Sequence, residues 1–152
     1  MNLEPRNRWA LLPLRLMIGF GFAAHGFAKL GRGPEKFAVI LGAMGVPAPH
    51  LAAWVTSVLE LLGGLGLMAG LAVVPLTLPL AVVMLTAMFG VHLRYGFSSI
   101  RLEALTPDGS KFGPIGYELN LLYLAGLLAL AIGGGGAASL DGVLRRGKSA
   151  RS

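Results

Sequence analysis

Residues 9–30 read WALLPLRLMIGFGFAAHGFAKL. A helix needs about 20 predominantly apolar residues to cross the hydrocarbon core of a bilayer, and this stretch has that length. Trp9 and Lys29 stand near its two ends, where such side chains anchor a spanning helix at the membrane surface. The stretch therefore predicts a transmembrane helix and a membrane location for the chain.

Three further apolar runs meet the same requirement, at about residues 49–71, 74–93 and 115–133. Glycines from Gly133 onward end the last run, and Ser139 has the residue type of an N-cap for a short helix after them. Only 13% of the 152 residues are charged, against about 25% in soluble domains. We predict an all-α integral membrane four-helix bundle with a short C-terminal surface helix. It forms a single domain over residues 1–152, with a basic tail at 144–152.

An even number of spans places both termini on one side of the membrane, and we interpret residues 31–48 and 94–114 as loops on the other side. Six basic residues fall on each side, so the positive-inside rule does not decide the orientation. The tail is basic and has no acidic residue after Asp141. We therefore expect the termini to be cytoplasmic.

The net charge of +6 does not indicate a nucleic-acid partner. The basic residues flank the apolar runs, where anionic lipid headgroups attract them, and no basic stripe interleaved with aromatic residues is present. The lipid bilayer is the expected partner. The chain has no cysteine, which excludes disulfides, thiolate metal sites and thiol nucleophiles. We predict no metal site.

Ionisable side chains inside the apolar runs are the main functional clue. They are Arg15, His25, Lys29, Glu60 and Glu118. A charge near the bilayer centre costs roughly 2.5–3.5 kcal/mol on insertion scales, so such residues usually face inward and pair with one another. We expect the five to meet, together with His92, in a polar pocket that opens towards the two loops and has Glu60 at its floor.

Helical geometry suggests how these residues pair. At 100° per residue, Arg15, His25 and Lys29 share one face of the first helix. Lys29 and Glu118 both lie close to the loop-side surface, which makes them expected partners. Arg15 and His25 bracket the depth of Glu60, so either side chain can reach it. A buried pair that merely fixes helix register remains the alternative to a functional site. The protonatable Glu60 and His25 are the candidate catalytic groups.

The sequence resembles the DoxX family of small four-helix bacterial membrane proteins over roughly residues 10–145. The resemblance rests on Arg15 with Gly19, His25 to Lys29, Glu60 to Gly64, Gly70, Tyr117-Glu118, Gly134 to Gly136 and Ser139 to Asp141. It implies a multi-pass protein of the bacterial inner (plasma) membrane that is linked to redox physiology. DoxD relatives form part of a thiosulfate:quinone oxidoreductase, and some DoxX relatives are partners of soluble redox enzymes.

Several functions stay open at this point. The first is a quinone-linked redox subunit, with quinone as the cofactor and a soluble redox enzyme or further copies of the chain (a homo-oligomer) as partners. The second is a non-catalytic membrane anchor that docks a soluble partner through residues 94–114. A b-type haem held by His25 and His92 is disfavoured, because His92 lies too near the surface. A small-solute transporter is disfavoured because four helices need a dimer to form an alternating-access path.

Overall fold

Within residues 5–149, the part of the chain that the computed structural model describes, six α-helices and one two-stranded sheet form. The helices are α1 (Pro5–Arg32), α2 (Pro34–Ala43), α3 (Pro49–Ala69), α4 (Val73–Ala87), α5 (Glu118–Gly133) and α6 (Leu140–Ser149), and the strands are β1 (Leu102–Thr106) and β2 (Gly109–Phe112). Side-chain exposure is described for residues 9–144. The predicted tail at 144–152 is helical as far as Ser149, and its last three residues lie outside the described part.

Four helices form the bundle: α1 packs against α3 and α5, and α4 packs against the same two. Three segments are long and apolar enough to cross a membrane, namely Trp9–Arg32, Pro49–Ala69 and Val73–Tyr95. The fourth, α5, has 16 residues, which gives a length of about 24 Å. The interior is filled by Ile18, Phe22, Leu67, Val73, Leu80, Leu127 and Leu130. The predicted all-α membrane bundle is confirmed.

Large apolar side chains cover the outside of the bundle, as a lipid-facing surface requires. They include Met17, Phe20 and Phe27 on α1, Leu62 on α3, Leu78 on α4 and Leu128 on α5, each more than half exposed. Since the interior and the exterior are both apolar, the hydrophobic effect does not hold these helices together, and close packing must.

Glycines bring α1 and α3 into the closest contact in the bundle. A Cβ atom on Gly26 would lie 2.7 Å from the carbonyl oxygen of Ser57, and one on Gly19 would lie 2.6 Å from that of Gly64. Neither position therefore has room for a side chain. The two contacts fix the register of the antiparallel pair and place Glu60 level with Gly26.

The structure corrects the interpretation of residues 31–48 as a loop, because this segment contains α2. The helix begins at Pro34, directly after Gly33 with φ of 86°, and Glu35 lies in its first turn. A proline at the first position and an acidic residue in the first turn both favour a helix start. Ala38 and Leu41 of α2 pack against Ala53 of α3.

Residues 94–114 are also more ordered than a loop. Helix α4 continues through a π-helical turn at Met88–His92 and a 3₁₀ turn at Leu93–Tyr95. Strands β1 and β2 then form an antiparallel hairpin. Helix α5 starts at Glu118 rather than at 115, because the residues before it pair through the backbone: Gly116 and Tyr117 donate to the carbonyl oxygens of Ser98 and Gly96.

Helix α6 is the predicted surface helix, and Ser139 is its N-cap: the Ser139 hydroxyl oxygen accepts a hydrogen bond of 3.2 Å from the Gly142 amide. The helix is fastened to the bundle by Asp141. Its carboxylate accepts hydrogen bonds of 2.8 and 3.0 Å from the amides of Ala72 and Val73. Those amides belong to the first turn of α4, so a side chain from the end of the chain caps a transmembrane helix.

Candidate functional site

An ion pair between Lys29 and Glu60 lies inside the membrane span. The Lys29 ammonium is 2.5 Å from Glu60 Oε2, and the two side chains are 23% and 3% exposed. Glu60 occupies the middle of α3, level with Gly26 of α1. Lys29 is almost one turn further along α1 and reaches back to it, because helical side chains tilt towards the N-terminus of their own helix.

Helix α2 adds an aromatic wall to this pair. The Lys29 ammonium lies 4.5 Å from the centre of the Phe37 ring, which is a cation–π contact. Phe37 was not among the predicted site residues, because residues 31–48 were expected to form a loop and not to contain α2. Pro34 and Glu35 were the signals that could have revealed it.

The pair retains capacity to bind a further group. A lysine ammonium has three N–H donors, and a carboxylate accepts through both oxygens. Among the described residues, Lys29 donates one hydrogen bond and faces one ring, and Glu60 accepts through Oε2 alone. One or two donors on Lys29 and one oxygen of Glu60 therefore make no hydrogen bond to the described residues.

The structure does not bring Arg15 to Glu60. Arg15 is 1% exposed and lies towards the end of the bundle that carries α6. Its guanidinium donates to the carbonyl oxygens of Gly135, Ala137 and Ala138, at 3.5 Å for Ala137 and 3.0 Å for Ala138. These carbonyls follow the C-terminus of α5, where the helix dipole favours a cation. Arg15 therefore connects α1 to the segment between α5 and α6.

The expected pairing of Lys29 with Glu118 is wrong. Glu118 accepts a hydrogen bond of 2.9 Å from the Ser99 amide, and His92 Nδ1 donates one of 2.9 Å to the carbonyl oxygen of Ile115. Both side chains secure the backbone where the hairpin joins the helices. Helix-wheel geometry identifies which residues share a face of a helix, but not which helix will pack against that face. The register between α1 and α3 brings Lys29 to Glu60.

His25 is exposed on the outside of α1. Among the described residues no hydrogen bond involves its ring, so it does not join Glu60. Of the six predicted pocket residues, the structure thus brings together Lys29 and Glu60 and places Arg15, His25, His92 and Glu118 elsewhere.

A second polar cluster holds α2 against the start of α3. Glu35 accepts hydrogen bonds from His50 Nδ1 and from Trp54 Nε1, the latter at 3.2 Å. These two bonds, first the one from His50, hold the pKa of the Glu35 carboxyl below its usual value. Within the described residues, no group of three or more His, Asp or Glu side chains is arranged to hold a metal ion.

A cavity of about 660 Å³ lies between α3 and α4 on the outer side of the bundle. Its lining is apolar and includes Val58 and Leu62 of α3. Each is two residues from Glu60, which puts it about 160° away around the helix. The cavity is therefore on the opposite face of α3 from the Lys29–Glu60 pair.

Comparison with known proteins agrees with this architecture. The DoxX family model matches residues 10–93, which is more than half of the chain. The chain belongs to the DoxX family. A relative in Haemophilus influenzae, described as an uncharacterized protein, is 32% identical over 142 residues, covering 92% of this chain and 94% of the relative. No solved structure matches the chain.

The matched region of this DoxX protein contains Arg15, Lys29 and Glu60, so the two buried basic groups lie within the family region but perform different tasks. Arg15 binds backbone carbonyls and closes one end of the bundle. Lys29 meets a carboxylate beneath α2 at the other end. Lys29 and Glu60 form the one ion pair found between two candidate membrane spans in the described part of the chain.

Proposed function

We propose that this DoxX protein is a membrane subunit of a quinone-linked redox system in the bacterial inner membrane, with cytoplasmic termini, and that the Lys29–Glu60 pair contacts the quinone headgroup. The observation that carries the proposal is a paired ammonium and carboxylate inside the membrane span, at 2.5 Å, with hydrogen-bonding capacity left over. Intramembrane ionisable groups are costly and mark working sites in membrane proteins.

The donor set fits a quinone headgroup. A quinone carries two carbonyl oxygens, which accept hydrogen bonds, and its reduction takes up two electrons and two protons. Lys29 has N–H groups to donate to one carbonyl. Glu60 is placed beside it to hold or pass a proton. The flat Phe37 ring next to the ammonium suits a planar headgroup.

The site is also placed where a lipid-soluble ligand can reach it. Glu60 is nearly inaccessible, but Lys29 remains 23% exposed, so one member of the pair faces the surroundings. The level of Gly26 is about 9 Å from the loop-side end of α1. A headgroup carried by an apolar tail can approach at this depth without leaving the bilayer.

The test is binding of a short-chain ubiquinone or menaquinone analogue to the purified protein in nanodiscs. Three proteins are compared: the wild type, Glu60→Gln, and Glu103→Gln as a control with the same chemical change outside the membrane. We expect saturable binding by the wild type and the control. Glu60→Gln should bind more weakly, by roughly tenfold if one hydrogen bond to a charged group is lost.

Two results would overturn the proposal. One is an absence of saturable binding by folded wild-type protein. The other is equal weakening in Glu60→Gln and Glu103→Gln, because the effect would then not come from the buried pair. Turnover with a reconstituted electron donor is the further readout, and Glu60→Gln should lower it.

A second candidate is a non-catalytic anchor that assembles a complex with a soluble redox enzyme. The observation that favours it is the β1–β2 hairpin, every residue of which is exposed. Both outer edges of the hairpin carry unpaired backbone groups that a partner strand can use. Replacing residues 102–112 with a flexible linker should abolish assembly in this case, whereas Glu60→Gln should preserve it.

A further inference from the structure

The two chain segments between α4 and α5 form a continuous two-stranded ribbon, which we define as residues 96–117. Near the helices, Tyr117 donates to the Gly96 carbonyl oxygen and Gly116 to that of Ser98. Gly113 donates to the carbonyl oxygen of Arg101 at 2.8 Å. The β1–β2 pairing then carries the ribbon to its turn. The ribbon is therefore attached at both ends to helices that end at the membrane surface.

A β-bulge gives the ribbon one apolar face. Leu102 pairs with Phe112, Leu105 pairs with Ser110, and the register shifts between Leu102 and Ala104. Because side chains alternate along a strand, a shift of one residue moves all later side chains to the other face. Its effect here is to place Leu102, Leu105 and Phe112 on the same side.

These three side chains remain largely exposed in the described part of the chain. They are 53%, 76% and 58% exposed. In the described part of the chain, β1 and β2 pack appreciably only against each other. An isolated two-stranded hairpin is at best marginally stable in water, and it usually needs a surface on which to bury one face.

Exposed apolar side chains also occur in the stem of the ribbon, next to the helix ends. Phe97, Ile100 and Ile115 in the stem of the ribbon are 55%, 76% and 48% exposed. Ser110 shares the face of the three apolar side chains, and the opposite face carries Ala104, Thr106 and Lys111. An apolar face backed by a basic and polar one is the pattern of segments that lie in the membrane interface.

We propose that the ribbon lies flat on the bilayer, with Leu102, Leu105 and Phe112 among the lipid headgroups and Lys111 towards water. The helices hold the ribbon at the membrane surface, so the bilayer is always available to this face at high effective concentration, whereas a soluble partner must diffuse to it. The proposal does not depend on the identity of the Lys29–Glu60 ligand.

Site-directed spin labelling tests this directly, and the cysteine-free chain needs no background substitution. The full-length protein is prepared in phospholipid nanodiscs as four variants: Leu105→Cys and Phe112→Cys on the apolar face, and Thr106→Cys and Lys111→Cys as neighbours on the other face. Each label is tested for relaxation by oxygen, which concentrates in the bilayer, and by a water-soluble nickel chelate.

We expect the labels at 105 and 112 to respond more strongly to oxygen than to nickel, and the labels at 106 and 111 to show the reverse. Equal nickel accessibility at all four positions would overturn the proposal and leave the apolar face to a soluble partner. Shielding of 105 and 112 from both reagents would also overturn it, because a second copy of the chain would then cover the face. Two label pairs keep the test valid if one variant misfolds.

Discussion

Lys29 and Glu60 differ in burial, and that difference predicts how each responds to substitution. The Glu60 side chain is 3% exposed and that of Lys29 is 23% exposed. If Glu60 is removed, Lys29 can extend its flexible chain towards the loop-side surface. If Lys29 is removed, the carboxylate has no comparable way out of the bundle. The two single substitutions therefore do not cost the same.

We predict that Lys29→Met destabilises the protein more than Glu60→Gln. Removing one partner of a buried pair costs about 3–5 kcal/mol, and Lys29→Met should lie near that range and Glu60→Gln below it. The double variant should recover part of the loss, because no unpaired charge remains. Thermal unfolding in one detergent measures all three. Equal losses would contradict the predicted difference between the two residues, and a double variant that is merely additive would show that the pair is not coupled.

Glu35 gives this protein a pH-dependent contact between α2 and α3. Its pKa is below the ordinary glutamate value in the folded state because of the hydrogen bonds from His50 and Trp54. A lowered folded pKa means that the contact contributes fully above the unfolded pKa and is lost as the pH falls through the folded value. Acidification should therefore weaken the contact between α2 and α3, whereas neutral pH should preserve it.

Trp54 can report this change, since its indole donates to Glu35. In a Trp9→Phe background, we expect a shift in Trp54 fluorescence on acidification below about pH 4.5, the ordinary glutamate pKa. Glu35→Gln in the same background should show no such transition. If both proteins shift alike, Glu35 does not control the contact.

The sequence predicted which ionisable residues are buried better than it predicted their partners. Glu60 and Arg15 lie in apolar runs, and both are buried as expected. Pairing depends on the register between helices, which the Gly19 and Gly26 contacts fix. Those contacts join residues far apart in sequence, so a single helical wheel does not contain them. Whether the predicted site residues act in function stays a prediction.

At the scale of elements, apolar length located the four helices of the bundle, because that requirement comes from the bilayer, and three of them are long and apolar enough to span it. Helix α2 has 10 residues and the two strands have 5 and 4, so the length criterion does not detect them. Their signals were local: Pro34 with Glu35 for the helix, and Asp108-Gly109 between strand-like residues for the hairpin turn. Composition alone, on which the loop interpretation relied, does not carry these signals.

Asp141 offers a test of how α6 supports α4. Its carboxylate accepts from the Ala72 and Val73 amides, which have no partner within α4 itself. We predict that Asp141→Ala lowers the free energy of unfolding by about 0.5–2 kcal/mol, the usual cost of losing a cap. Asp108→Ala, in the exposed hairpin turn, is the matched control and should change it little. Unfolding followed by circular dichroism compares the two.

At the scale of the whole molecule, the bundle and the hairpin are separable. The strands pack appreciably only against each other among the described residues, while Ser99 and Glu118 secure the stem below them. We predict that a short glycine-serine linker in place of residues 102–112 leaves the unfolding temperature of the bundle almost unchanged in detergent. A large fall would mean that the hairpin supports the helices through contacts beyond β1–β2 pairing.

The Arg15 contacts impose an order on the making of this protein. The carbonyl oxygens that bind its guanidinium belong to Gly135, Ala137 and Ala138, which lie 120, 122 and 123 positions later in the chain. A ribosome delivers α1 to the membrane long before it has made those residues. During that interval the first helix carries a cation without its final partners, which favours a position near the interface. We therefore expect α1 to reach its final depth only after residues 135–138 have been made. In a chain whose synthesis stops before Gly135, the Arg15 guanidinium would lack these carbonyl acceptors.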